Sequence, residues 1–422
     1  MHVSRRKDTT MTILKNYRML DLTRLVVGPF ASHILADLGM DVIKIEEPEP
    51  RYGMARDTMT PYQPTPEGER HASAYNVVAR NKKSIALDLL NPALRPRSQE
   101  VFYRLVRDAD VVLESYRPGV TKWMGIDYET LRAINPRIVV CSISGYGQDG
   151  PYALYAAHGP QNSAVAAAIA IRENGEPERG AGTFTGNATG FFAATAILAA
   201  LLECQQTGEG QYIDVSLMGS AMALTMNEAV TYFRDGIEPQ PQVERAGLGF
   251  IKCKDGKYIS TGNAETVFWE NFCKLLDRPQ YIPLRRGQGP EYDALVADVR
   301  AIFLTKNRDE WLPLLWAAET AAAPVNSIPD AFNDPQVRHI GMAWELDHPT
   351  EGKARQIGSP VRFSRTPVGF ERFAPIIGEH THEVLGEAGF SADEIAALEN
   401  DGIVKSWTGE TWVGGAAAVA QP

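Results

Sequence analysis

The sequence has few cysteines and no regular spacing of metal-binding residues. Its four cysteines are far apart and include no C-x-x-C pair, which argues against a disulfide framework or a thiolate metal site and favours free thiols. Of the eight histidines, only His380 and His382 are close together, and a single H-x-H pair is a weak metal signal. We therefore predict a protein without a metal site.

Long apolar runs and an excess of positive charge are also missing. No run approaches the roughly 20 apolar residues that cross a bilayer, and "FFAATAILAALL" at 191–202 is predicted to be a buried helix. The formal net charge of −10 at pH 7 argues against a general nucleic-acid-binding surface. The first residues contain no apolar core of a secretory signal. These absences predict a cytoplasmic protein with no membrane and no nucleic-acid partner.

What the sequence does contain is the composition of a globular protein with more than one core. Hydrophobic residues make up 44% of the 422 residues and charged residues 22%, which is ordinary for folded domains. A single hydrophobic core rarely extends over a chain of this length, so two or more domains are predicted.

The N-terminal segment predicts a β-α-β unit. "RMLDLT" has strand-like spacing, a helix is predicted after Gly28-Pro29 and ends at Gly39, and "DVIKIEEP" alternates as a second strand. The amide groups at the start of that helix could meet an anion. The first turn, "RLVVGP", contains no G-x-G-x-x-G motif, so this unit does not support a dinucleotide site.

The same alternation of strand and helix continues to about residue 147. It predicts an α/β fold with a doubly wound, mostly parallel sheet. Three predicted strands end in "RLVVGP", "ESYRPG" and "SISGYGQDGP". Because ligands bind beyond the carboxyl ends of such strands, these ends predict a ligand-binding rim.

The chain is predicted to divide into a large and a small domain. Residues 12–225 together with 346–410 are assigned to the large α/β domain, and 226–345 to a smaller α+β domain. The small domain contains a predicted β-hairpin with Asp255-Gly256 as its turn. Residues 1–11 and 411–422 are predicted to be flexible.

Segments along nearly the whole chain resemble the class III CoA-transferases, which include formyl-CoA, carnitine and bile-acid CoA-transferases and α-methylacyl-CoA racemase. Among the matching segments are "LDLTRLVVGPFASHILADLGMDVIKIEEP", "ARNKKSIALDL", "ADVVLESYRPG", "NPRIVVCSISGYGQDGP", "TGEGQYIDVSL" and "APIIGEHTHEVLGEAGFS". The resemblance implies a large domain built from both chain ends, a smaller middle domain and an intertwined, ring-like dimer. It also implies CoA and acyl-CoA as substrates, with no permanently bound cofactor.

The resemblance places CoA along the carboxyl edge of the N-terminal sheet. The residues that it implies for binding are Val26, Val27, Leu87, Asp88, Leu89, Leu90, Ser115, Tyr116, Arg117, Ile143, Ser144, Gly145 and Tyr146. Backbone beside glycine can approach a ligand closely. Tyr116 is a candidate to stack on adenine, and Arg117 or Lys122 to pair with a phosphate.

Two positions depart from the pattern expected for CoA binding. Glu47 stands where formyl-CoA transferase has an arginine, and Trp123 stands where the family often has one. Arg51, Arg56 and Lys122 are candidates to supply the missing positive charge.

The implied chemistry needs an aspartate nucleophile in a loop of the form G-x-P-D-G-P-P. The corresponding loop begins "NGEPERGAG" at residue 174. Matching its Gly-x-Pro places Glu178 at the aspartate position. Counting back from the next helix without a gap places Asn174 there, beside Glu173. A second family aspartate corresponds to Gly186 or Asn187.

Three catalytic interpretations follow. Glu178, or Glu173, is the nucleophile. Alternatively, this chain is the partner subunit of a heteromeric CoA-transferase whose other chain carries the aspartate, so a homodimer and a heterodimer both stay open. In the third, His158 is the base of a racemase or isomerase. A CoA-binding protein without turnover is a fourth possibility, from a different class.

Overall fold

The fold is that of a computed structural model, which describes residues 13–48, 78–171, 175–178, 182–238, 245–349 and 352–407. These residues form two compact units. One contains the described residues up to 238 together with those from 340 onward, and the other contains 245–339. The predicted flexible ends, 1–11 and 411–422, lie outside the described residues.

The first unit is built on a seven-stranded sheet, which confirms the predicted doubly wound, mostly parallel α/β fold. The strand order is β12-β3-β2-β1-β4-β5-β6, and every neighbouring pair is parallel except β12 with β3. The strands are β1 (Arg18–Asp21), β2 (Asp41–Glu46), β3 (Lys82–Leu87), β4 (Val111–Glu114), β5 (Val139–Ser144), β6 (Tyr212–Ser216) and β12 (Val404–Lys405).

Helices cover both faces of this sheet, as parallel strands with side chains buried on both sides require. One face packs against α1 (Val27–Asp37) and α6 (Gly182–Thr207). The opposite face packs against α2 (Arg95–Arg107), α4 (Tyr128–Ile134), α14 (Thr381–Glu387) and α15 (Ala392–Asn400). Strand β4 illustrates the division: Val112 joins the core of the second face, and Val111 and Leu113 join that of the first.

The remaining elements of the first unit are short. They are α3 (Val120–Met124), α5 (Gly159–Val165), α7 (Leu217–Ala223), α8 (Met226–Asp235) and the antiparallel pair β10 (Ala343–His348) and β11 (Gly352–Ile357). Helix α8 was assigned to the small domain by the sequence analysis, but in this division it lies in the first unit.

The second unit combines an antiparallel sheet with helices. Its strands, in the order β7-β8-β9, are β7 (Leu248–Lys252), β8 (Tyr258–Gly262) and β9 (Ala322–Pro324). Its helices are α9 (Thr266–Leu275), a 3-10 helix (Pro279–Leu284), α10 (Pro290–Phe303), α11 (Arg308–Ala317), α12 (Ile328–Asn333) and α13 (Pro335–His339). Gly256, with φ of 78°, turns the hairpin between β7 and β8.

Helix α6 is buried on one side only, so the prediction of a buried helix is wrong for its outer face. Ala193 and Ile197 are fully buried against the sheet, whereas Phe184 is 76% exposed and Leu202 61%. By length and hydropathy, Phe184–Thr207 is the one helix among the described residues that could cross a membrane. Its inner face belongs to the core between the sheet and α1.

Glycine allows α6 to pack closely on α1, which leads to a first prediction. A Cβ at Gly190 would lie 2.7 Å from Phe30 Cδ1 and 3.1 Å from the Val27 carbonyl oxygen. Gly190→Ala is therefore expected to lower the free energy of unfolding by about 1–3 kcal/mol, because the helices must separate. Urea unfolding of the purified protein measures this change.

A matched control is Gly386→Ala in α14, where a Cβ would meet no atom within 4 Å. That variant should be as stable as the wild type or more stable, by up to about 1 kcal/mol, because alanine favours helix. If both variants unfold at the wild-type urea concentration, the close contact between α1 and α6 is refuted.

Candidate active site

The carboxyl edge of the large sheet collects most of the predicted CoA-binding residues. Because β3, β1, β4 and β5 are parallel and lie in one sheet, their ends share an edge. The predicted residues are Val26 and Val27 at the start of α1, Leu87–Leu90 after β3, Ser115–Arg117 after β4 and Ile143–Tyr146 at the end of β5. The side chains of Leu87, Asp88, Leu89, Ile143 and Ser144 are buried, so these five positions offer a ligand chiefly their backbone.

A buried charged cluster lies beneath the first of these strand ends. Asp21, at the end of β1, is fully buried and lies 3.5 Å from Lys44 Nζ and 3.3 Å from Lys82 Nζ. Thr23 and Ser32 donate hydrogen bonds to the same carboxylate. Burial alone would raise the pKa of Asp21, but the two lysines and the two hydroxyl groups lower it well below its ordinary value.

This cluster holds the first turn of α1 in place. Lys82 donates to the Pro29 carbonyl at 3.1 Å and to Ser32 Oγ at 2.8 Å. Gly28 is needed in the turn, because a Cβ there would lie 2.3 Å from Thr23 Cβ. The amide groups near Val27 therefore have a fixed position at the sheet edge.

Arg24 was missed by the sequence analysis, although it stands in the strand-end segment "RLVVGP". Its guanidinium lies 5.6 Å from the centre of the Tyr116 ring and pairs with Glu47. Its backbone N–H points at Ser115 Oγ, 3.4 Å away. Glu47, which replaces the family arginine, thus has a local cationic partner beside the predicted adenine-stacking residue.

The other departure, Trp123, is half exposed and covered on one face by Arg95. The Arg95 guanidinium lies 3.5 Å from the centre of the indole ring, and its Nη1 donates to the Trp123 carbonyl at 3.2 Å. Lys122 is exposed next to this pair. Arg51 and Arg56, the other candidate cations, lie outside the described residues.

Helix α5 connects the end of β5 to the start of α6. Asn162 Nδ2 donates to the Gly145 carbonyl at 2.9 Å, and Ser163 Oγ lies 2.6 Å from Thr185 Oγ1 on α6. His158 immediately precedes α5, with its side chain exposed. His158 therefore lies about one helical turn from Asn162, the residue that contacts Gly145.

Gly186, one of the two residues that correspond to the second family aspartate, lies close to the start of α1. A Cβ at Gly186 would lie 3.2 Å from Val27 Cγ2, so a larger side chain there would require Val27 to shift. Gly186 supplies no proton-transfer group. A racemase that uses His158 would therefore lack its second base at this position.

The described residues of the loop that is predicted to be catalytic pair with the backbone just before it. The Glu178 N–H donates to the Ala170 carbonyl at 2.8 Å, and Ile171 pairs with Pro177. Gly175, with φ of 81°, contributes to the turn. Glu178 is exposed in the single chain. Glu173 and Asn174 lie outside the described residues.

Among the residues that the structure describes, no group of three or more histidine, cysteine, aspartate or glutamate side chains could hold a metal ion. The four cysteines are buried free thiols.

Comparison with known proteins gives consistent matches along the chain. A family model described as CoA-transferase family III matches residues 14–381. Human succinyl-CoA:glutarate CoA-transferase is 35% identical over 392 residues, covering 89% of this chain and 85% of that protein. The Agrobacterium fabrum succinate–glutarate CoA-transferase is 33% identical, with coverage of 89% and 95%. A CaiB/BaiF family crystal structure from Brucella suis superposes with a TM-score of 0.75 at 28% identity, covering 90% of this chain and all of that one.

Proposed function

Because the chain belongs to CoA-transferase family III and transfers CoA between an acyl-CoA thioester and a carboxylic acid, we propose that its substrates are short dicarboxylic acids. The support is the pair of relatives named for succinate and glutarate, which are 33–35% identical over most of the chain. CoA and acyl-CoA act as substrates in this reaction and not as a bound cofactor.

We place CoA along the carboxyl edge of the large sheet, over the backbone of Val26 and Val27 and beside Tyr116. The observation that carries this proposal is the close approach of α6 to the start of α1, where a Cβ at Gly186 would lie 3.2 Å from Val27 Cγ2. It brings the helix that follows the catalytic loop onto the strand end where a CoA thioester can meet backbone amides. Arg117 is exposed at the same edge and is the candidate phosphate partner.

The proposed nucleophile is the Glu178 carboxylate. It attacks the thioester carbonyl and expels CoA as a thiolate, which leaves a mixed anhydride on the enzyme. The thiolate then attacks the glutamyl carbonyl, releases the first acid and forms a glutamyl-CoA thioester. The acceptor carboxylate attacks that thioester, and the same steps in reverse produce the new acyl-CoA.

A second candidate is the role of partner subunit in a heteromer. It is favoured by the gap-free loop alignment, which places Asn174 at the aspartate position, and by the second aspartate position, where Gly186 or Asn187 stands. An amide cannot act as an anionic nucleophile. In that case a homologous chain with the G-x-P-D-G-P-P loop supplies the carboxylate.

The apolar outer surface of α6, α7 and α8 is the proposed interface with a second chain, identical or homologous. Exposed groups of large apolar side chains are typical of association sites. Its exposed large side chains are Phe184, Phe191, Phe192, Leu202, Met222, Leu224, Met226, Val230, Tyr232, Phe233 and Ile237. The buried free thiols fit the reducing cytoplasm, where we place the protein.

A CoA-exchange assay tests this function. The purified chain, given succinyl-CoA, is expected to form glutaryl-CoA from glutarate at least about tenfold faster than it forms acyl-CoA from the monocarboxylate pentanoate. Pentanoate lacks the second carboxylate, so in a dicarboxylate site it loses an ionic contact worth about 1.4 kcal/mol or more. Equal rates with both acids would contradict the dicarboxylate proposal. Activity that appears only after a homologous aspartate-bearing chain is added would favour the heteromer.

A further inference from the structure

Three polar residues lie side by side across β4, β5 and β6 at the carboxyl edge. The strand register pairs Glu114 with Ser142, and Ser142 with Asp214. Residues paired in this way project from the same face of a sheet. Glu114 and Ser142 are each only 2% exposed, whereas Asp214 lies on the outer strand and is exposed. The row thus runs from a buried carboxyl group to an exposed one.

The two carboxyl groups hold the two loops that follow β4 and β5. Glu114 Oε2 accepts a hydrogen bond from the Tyr116 N–H at 2.6 Å, and Ser142 lies beside Glu114 on the neighbouring strand. Asp214 Oδ2 accepts from the Gln148 N–H at 2.9 Å. The loops held in this way carry Tyr116, Arg117 and Tyr146, which are among the residues proposed above to line CoA.

We propose that Glu114 is a positioning residue for CoA, which fixes the Tyr116 amide and thereby the ring of Tyr116 and the guanidinium of Arg117. This inference rests on the proposed CoA site. Glu114 is buried below the edge and acts through the loop, so it is not a catalytic residue. An ionised carboxylate holds an N–H group more strongly than a neutral carboxyl group does.

The surroundings of Glu114 make its ionisation sensitive to pH near neutrality. Burial raises its pKa to about 7, Ser142 and the Tyr116 N–H oppose the rise, and the neighbouring Asp214 adds to it. Tyr212 of β6 and Cys141 of β5 are the other titratable groups coupled to it on the strands, and each has a raised pKa. The charges of Arg24 and Glu47 affect the pKa of the Tyr116 hydroxyl group, which lies farther from Glu114 than the Tyr116 amide does.

Binding and stability should therefore respond to pH in opposite directions. Above pH 7 Glu114 is ionised, the loop is held firmly and CoA binds better. Stability behaves otherwise, because the folded pKa of about 7 exceeds the ordinary value of 4.5. The stabilising effect of the protonated form is complete below about pH 4.5 and is lost as the pH rises through 7. If Glu114 contributed only to stability, its ionisation would not change the affinity for CoA.

The test compares Glu114→Gln and Glu114→Leu with the wild type by calorimetric titration of CoA at pH 6 and pH 8, with melting temperatures at both. Glutamine keeps an acceptor for the Tyr116 N–H but cannot ionise, and leucine removes the acceptor. Glu129→Gln, at an exposed position on α4, is the matched control. Since CoA titrates as well, the decisive quantity is the ratio of variant to wild-type Kd at each pH.

We expect Glu114→Gln to bind CoA about fivefold more weakly than the wild type at pH 8 and equally well at pH 6. It should melt higher than the wild type at pH 8. Glu114→Leu should weaken CoA binding at both pH values by about tenfold or more. In turnover, the loss should appear in KM for acyl-CoA, with kcat nearly unchanged.

The proposal is overturned if the ratio of the Glu114→Gln Kd to the wild-type Kd is the same at both pH values. It is also overturned if Glu114→Gln binds CoA more tightly than the wild type at pH 8. If Glu114→Leu fails to fold, the Glu114→Gln comparison alone decides. If the wild-type protein binds no CoA at either pH, the proposed CoA site itself is refuted. If the wild type binds CoA normally and the variants bind it equally well, only the role of Glu114 is refuted.

Discussion

Replacing Glu178 with glutamine is expected to abolish CoA transfer by the isolated chain, with a loss of about a thousandfold or more in kcat. The amide keeps the shape of the side chain but removes the negative charge that attacks the thioester, so neither covalent intermediate can form. The affinity for CoA should change little, because the carboxylate acts on the acyl carbonyl. Initial rates with succinyl-CoA and glutarate, together with CoA titration, measure the two quantities.

The controls lie in the same loop. Glu176→Gln, at the other described glutamate, should keep activity within a few-fold of the wild type, since Glu176 is exposed and matches no catalytic position. Glu173→Gln tests the remaining candidate. Intact-mass measurement should find a covalent CoA adduct in the wild type and none in Glu178→Gln.

Asn174→Asp distinguishes the two proposals for the nucleophile. If Glu178 acts, adding an aspartate at 174 should leave the rate nearly unchanged. If the chain is a partner subunit, Glu178→Gln will have no effect on activity, and Asn174→Asp should create transfer activity in a chain that had none. The second result would remove Glu178 from the mechanism.

Asp21→Asn is expected to lower the free energy of unfolding by about 3–5 kcal/mol, because it leaves Lys44 and Lys82 buried without their shared carboxylate. Both lysine side chains and Asp21 are almost fully buried, so water cannot replace the lost charge. Urea unfolding at pH 7 measures the change. Asp108→Asn, at an exposed position after α2, should stay within about 0.5 kcal/mol of the wild type.

The effect of Asp21 should also depend on pH in a defined direction. Its folded pKa lies below the ordinary value of 3.8, so its stabilising contribution is present above that value and is lost as the pH falls further. The stability difference between wild type and Asp21→Asn should therefore narrow in strong acid. A difference that widened as the pH fell would contradict the assigned charge state.

The sequence alone was sufficient for the layout of the large domain. Apolar strands that alternate with amphipathic helices can be buried only as a parallel sheet covered on both faces, and "RLVVGP", "ESYRPG" and "SISGYGQDGP" mark where its strands end. Because these strands are parallel, their ends share one edge, and that common edge followed from the pattern. The family resemblance was also readable, because it depends on local segments in a fixed order.

The tertiary structure decided the features that depend on residues far apart in sequence. The apolar composition of α6 does not reveal which of its faces meets the sheet, so Phe191 and Leu202 were expected to be buried and are exposed. The pairing of Arg24 with Glu47, and the row formed by Glu114, Ser142 and Asp214, depend on the spatial order of the strands. Hydrophobic periodicity shows on which side of its own helix or strand each residue lies. Charge pairing and a raised carboxyl pKa depend instead on neighbours that only the folded sheet brings together.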